Sequence, residues 1–150
     1  MTAGNYSYKI NAPLEKVWEA LHECQEYENW NPFIVKATGV PSEGANIELA
    51  CAFDSGKAVR GVAEVTAYEH HRQISWKLNS PIPGFRSWTV DFQVKDGGDK
   101  STTLDITTNL GGLSFLVMGP HINDVQSGFE RMATALNKRF GKSEQVAAAA

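Results

Sequence analysis

The segment from Gly111 to Phe140, GGLSFLVMGPHINDVQSGFERMATALNKRF, constrains the fold of this chain more than any other. Val125, Phe129, Met132, Leu136 and Phe140 recur at steps of four, three, four and four, the spacing of one face of an α-helix. His121 extends that stripe one turn upstream, while Asp124, Glu130, Arg131 and Lys138 fall off its centre line. Pro120 suits a first helical position, because an N–H there has no intrahelical partner to lose. Gly141 stands where a left-handed cap would close the helix. Gly128 lies near the stripe and costs about 1 kcal/mol relative to alanine, which points to a close helix–sheet approach or a bend. A helix with one apolar face needs a partner, and the chain offers strands.

Residues 4 to 10 alternate Tyr6, Tyr8 and Ile10 against Ser7 and Lys9, a first strand. NAPLEKVWEALHE then starts a helix with Pro13 near its first turn and Asn11 or Ala12 as its cap; Leu14, Val17, Trp18 and Leu21 form one buried face. CQEYENW is a short second helix or turn, ended by Asn31-Pro32. Six strands are expected from there: 33–38, 46–53, 58–68, 73–78, 85–95 and 101–110. Ile47, Leu49, Cys51 and Phe53 share a face, as do Ile74, Trp76 and Leu78. Arg86, Trp88, Val90, Phe92 and Val94 alternate with Ser87, Thr89, Asp91 and Gln93; Leu104 and Ile106 point inward, Asp105 and Thr107 outward. Turns at 54–57, 69–72 and 96–99 make this an antiparallel meander.

The order of strand, two helices, six strands and one long helix implies a twisted antiparallel sheet wrapped around the last helix, an α+β architecture. APLEKVWEAL, the YENWNPF stretch and the glycine pair Gly111-Gly112 before the last helix, taken in that order, resemble the START/Bet v 1-like (SRPBCC) superfamily, most closely its polyketide cyclase/dehydrase group. The resemblance covers residues 5 to 140. It implies a helix-grip fold of about seven strands with a hydrophobic cavity between sheet and C-terminal helix, and it implies no universal catalytic residue. The expected domain is 1–142, followed by a flexible tail, 143–150.

The sheet side of the expected ligand site comprises Trp30, Phe33, Trp76, Trp88, Phe92 and Thr108. Phe115 and Met118, in the apolar segment flanked by Gly112 and Gly119, would cover its mouth as a flap. Val125 and Phe129 supply the helix side. Large rings suit a planar ligand, although they also fill cores. Arg86 and His121 are the candidates for chemistry: a guanidinium steadies a carboxylate or enolate oxygen, and an imidazole at a helix start moves protons. His70 and His71 fall in a turn, one pointing each way into solvent, and His22 complements the end of the first helix.

The chain is therefore expected to bind a hydrophobic, planar small molecule. The enzymatic alternative is an aromatase/cyclase or dehydratase acting on a polyketide-type substrate; the third reading is a chaperone- or partner-binding module. No zinc spacing, phosphate loop or nucleotide fingerprint is present, so no metal or cofactor is expected. A net charge of −3 and a pI near 5.8 give no general attraction for nucleic acid. The longest apolar run, LSFLVM, has six residues against the roughly 20 of a membrane span. Cys24 and Cys51 read as reduced core or edge thiols, the N-terminal residues carry no leader pattern, and a cytoplasmic monomer or homodimer is the expectation.

Overall fold

The computed structural model describes the backbone of residues 2–52, 58–79, 85–98, 100–112 and 122–149, and the side chains of 4–52, 60–78, 88–98, 100–109 and 125–140. The elements are β1 (Thr2–Ile10), α1 (Leu14–His22), a 3-10 turn (Cys24–Glu26), α2 (Tyr27–Trp30), β2 (Ile34–Thr38), β3 (Asn46–Ala52), β4 (Ala58–Glu69), β5 (Gln73–Asn79), β6 (Phe85–Gly98), β7 (Ser101–Gly112) and α3 (Ile122–Ala149). Seven strands form one sheet in the order β1-β7-β6-β5-β4-β3-β2. Every pairing is antiparallel. From β2 to β7 the sheet is a meander of neighbours; α1 and α2 carry the chain from β1 at one edge to β2 at the other. The curled half-barrel holds α3 in the helix-grip arrangement. No helix of the described residues is long and apolar enough to cross a membrane.

Alternation decides which side of the sheet is the core. Ile47, Leu49 and Cys51 on β3, Ile74, Trp76 and Leu78 on β5, and Trp88, Val90, Phe92 and Val94 on β6 are all buried. On β7 the same face carries Leu104, Ile106 and Thr108. Asp91 and Asp105 lie on the opposite face, half-buried. There Asp91 accepts hydrogen bonds from Gln73, Ser75 and Gln93, and Asp105 pairs with Lys95 at 3.4 Å. The inner face is apolar because each strand contributes every second residue to it.

Helix α3 fills the concave side with Val125, Phe129, Met132 and Leu136, all buried, while Phe140 is half-buried. Gly128 makes the approach close: a Cβ there would come within 2.3 Å of a ring carbon of Phe33. Glu130 and Lys138 are exposed as expected, but Arg131 is half-buried. Its guanidinium donates to the Pro32 carbonyl at 3.3 Å and the Ala52 carbonyl at 3.2 Å, tying the helix to both strands at one end of the β2–β3 pair. Asn137 ties the other edge: its Nδ2 donates to Lys9 O at 3.0 Å and its Oδ1 accepts from Asn11 N at 2.8 Å.

Two expected helix boundaries are corrected. The cap of α1 is Pro13 rather than Asn11 or Ala12, since the Lys16 and Val17 amides donate to the Pro13 carbonyl at 3.0 and 3.2 Å. Proline cannot donate, but its carbonyl opens a helix as well as any other, and it needs no side-chain cap to do so. Helix α3 continues past Gly141 to Ala149. A helical glycine costs only about 1 kcal/mol, and the glutamate, glutamine and alanines beyond it favour helix. Pro120 lies outside the described residues.

Candidate functional site

Apart from Trp30, the expected site residues whose side chains the structure describes lie between the sheet and α3. Trp76 on β5 and Trp88 on β6 meet edge to face, with ring centroids 5.4 Å apart and an interplanar angle of 82°. Phe33, which enters β2, touches Trp88 at 6.4 Å and Phe129 of α3 at 5.0 Å. Phe92 and Tyr6 both approach Phe129 at 6.0 Å, so that ring is the hub of the helix side. The steepest of these contacts, Trp76–Trp88 at 82°, Phe92–Phe129 at 78° and Phe33–Phe129 at 77°, set the positive edge of one ring against the negative face of the next. Val125 lies one turn upstream of Phe129 and is equally buried.

One hydroxyl interrupts this apolar surface. Thr108 is fully buried, and its Oγ1 accepts a hydrogen bond from Trp88 Nε1 at 2.6 Å. The bond joins β6 to β7, next to the edge strand β1. Alternation places both residues inward, but the side-chain pair itself has no signature in the sequence.

Trp30 has a different setting. It stands edge-on to Tyr27 at 5.4 Å and forms part of two open grooves beside α3. One groove, of about 610 Å³, runs between α1, the 3-10 turn and Arg139 and Phe140 of α3, with Ala12, Lys16 and Glu19 also in its walls. The other, of about 530 Å³, includes Pro32 and Arg131. Arg86 stands in β6 where the register shifts: Phe85 pairs with Gly112 and Ser87 with Gly111. A bulge suspends the alternation that assigned Arg86 to the inner face. Its side chain, together with Phe115, Met118 and His121, lies outside the described residues.

The titratable groups near the core are held neutral. Burial pushes the Cys51 thiol up to about 12 and the Cys24 thiol to about 11. The Tyr8 phenol rises to about 12, first through burial and then through the nearby charge of Glu130. Tyr27, wholly buried, also rises, and its hydroxyl donates to Leu21 O. Neither cysteine is therefore an activated nucleophile. Among the described residues no group of three or more histidine, cysteine or acidic side chains is placed to hold a metal ion.

His70 and His71 are exposed but do not point opposite ways. Their rings lie 3.8 Å apart, and both present an edge to Trp18, at 5.9 and 6.1 Å. His71 has φ 63°, a left-handed turn conformation that breaks strand alternation. His22 ends α1 as expected and packs on Tyr68 at 5.9 Å.

Comparison with known proteins agrees with this architecture. The family model described as "Polyketide cyclase / dehydrase and lipid transport" matches residues 1–141. No curated protein matches the chain. Among solved structures, a START superfamily protein from Mycobacterium smegmatis superposes with a TM-score of 0.74 at 19% identity, over 93% of this chain and 97% of its own. The protein XoxI from Bacillus cereus gives 0.71 at 19% identity, over 94% and 96%. DynU16, from the dynemicin biosynthetic locus, gives 0.67 at 18% identity; it covers 93% of this chain, which spans 47% of DynU16. At these identities the structural likeness shows the fold, and the match over residues 1–141 shows the family: the chain belongs to the polyketide cyclase / dehydrase and lipid transport family.

Proposed function

We propose that the chain binds an apolar, planar small molecule between the inner face of the sheet and α3. The Trp76–Trp88 pair carries this reading: two large rings set at 82° on adjacent inward strands offer a face and an edge to a flat ligand. No charged side chain is buried beside them among the described residues, so the ligand gains by leaving water rather than by ion pairing. Titration with N-phenyl-1-naphthylamine, an uncharged planar fluorophore, tests it. Saturable uptake at one per chain is expected, and the absence of saturable emission overturns the proposal.

A second reading, turnover of a polyketone in the same place, is favoured by the family description and by the likeness to a protein of a biosynthetic locus. It assigns an enolate to Arg86 and proton transfer to His121, and needs both side chains to reach one ligand. Supplied with a poly-β-ketone, the chain would then give a cyclised or dehydrated product, and Arg86→Met or His121→Phe would lose it while retaining fluorophore uptake. The partner-binding reading draws on exposed Val35 and Val62, but Lys36, Glu48 and Arg60 interrupt that surface.

A further inference from the structure

Four polar side chains are buried among the described residues, and three serve the backbone. Asn31 Oδ1 accepts from the Phe33 and Ile34 amides at 2.9 Å each. Ser101 donates its hydroxyl to Gly98 O at 2.6 Å, and Thr102 donates its own to Ala12 O at 2.8 Å. Thr108 is the exception. It accepts, from Trp88 Nε1, and an indole nitrogen can only donate. The hydroxyl proton of Thr108 is therefore left over, and it meets no acceptor among the described residues.

A buried donor without an acceptor is costly, and folded proteins rarely leave one. Thr108 shares the inner face of β7 with Leu104 and Ile106, and its cross-strand partners are the buried Val90 on β6 and, on β1, Gly4, against which the Tyr6 hydroxyl lies. Trp88 holds the hydroxyl from one side while stacking edge to face on Trp76 from the other. The proton thus emerges beside the aromatic pair, on the inner face of the sheet. We infer that the Thr108 hydroxyl selects the ligand by donating its proton to a carbonyl oxygen on a planar ring system, such as an aryl ketone or quinone. The inference rests on the interior being the ligand site. A neutral oxygen fits better than a carboxylate, since burying an anion beside a single hydroxyl leaves most of its lost hydration unreplaced. Trp88 is the positioning residue: its N–H occupies one lone pair of the hydroxyl and so limits the directions its proton can take.

The test compares 9-fluorenone with fluorene, flat tricycles that differ by one carbonyl. Their dissociation constants are measured for the wild type, Thr108→Val and Thr108→Ser. The preference for fluorenone over fluorene is expected to fall about 10-fold in T108V, the scale of one buried hydrogen bond, and to return in T108S, which keeps the hydroxyl. Infrared difference spectra of fluorenone bound to the wild type, which need no variant to fold, should show the carbonyl band below its position in toluene. An unchanged preference in T108V, or a band at the toluene position, overturns the inference while the interior site stands. If neither compound binds the wild type, the interior site fails and the inference fails with it.

Discussion

The ring of Phe33 occupies the space that a side chain at Gly128 would need. Sheet and helix meet there without a Cβ between them, and Phe33 is in turn wedged against Phe129 and Trp88. Gly128→Ala should therefore destabilise the fold by about 1–3 kcal/mol, even though alanine favours helix by about 1 kcal/mol. Urea denaturation of G128A, F33L and the double variant measures this. The smaller leucine side chain of F33L should remove part of the G128A penalty; strictly additive effects would mean the two positions do not compete for space.

Arg131 should behave as a structural clamp. Its guanidinium reaches the Pro32 and Ala52 carbonyls from one side chain, a fork that the single ammonium of lysine cannot reproduce. Arg131→Met is expected to cost about 1.5–3 kcal/mol, and Arg131→Lys to recover less than half of it. Denaturant midpoints with unchanged slopes would show the loss; full recovery by lysine would make charge rather than geometry the cause.

The buried thiols give the fold an alkaline limit. Cys24 and Cys51 ionise at about 11 and about 12 in the folded chain, against an ordinary value of 9.0. Between pH 9 and those values the folded chain keeps protons that the unfolded chain has released. Stability is accordingly untouched below pH 9 and falls as pH rises through that window. Cys51→Ala should flatten the fall, as read from urea midpoints between pH 8 and 11. At pH 8 neither thiol should react with Ellman's reagent until the protein is unfolded.

Asp91 provides a control for the orientation of β6. It faces away from α3 and is held by Gln73, Ser75 and Gln93, so Asp91→Ala should lower stability by about 1–2 kcal/mol and leave fluorophore affinity within twofold. A large change in affinity would place the ligand on the outer face.

Periodicity made most of this architecture legible. Trp88 to Val94 alternates without interruption, and the stripe from Val125 to Leu136 is buried as its spacing implied. What escaped was contact between distant positions. Arg131 lies off the apolar stripe, and nothing local says that two carbonyls some 80 and 100 residues upstream await it. The Trp88–Thr108 bond needs the β6–β7 register, which alternation alone does not specify. Local backbone choices also overrode pattern: the bulge at Arg86, the left-handed His71, and a helix that passes through Gly141. Of the expected site, Trp76, Trp88, Phe33, Phe92 and Phe129 come together around one hub. Trp30 borders the outer grooves instead.

The tryptophans themselves supply the most direct test of an interior site. Two-dimensional nitrogen–proton spectra resolve four indole N–H signals, which single Trp→Phe variants assign to Trp18, Trp30, Trp76 and Trp88. On adding N-phenyl-1-naphthylamine, the signals of Trp76 and Trp88 should move together and saturate at one equivalent, while those of Trp18 and Trp30 stay in place. Movement of Trp30 with Trp76 and Trp88 unchanged would put the ligand in one of the two outer grooves that Trp30 borders, and would contradict the interior site.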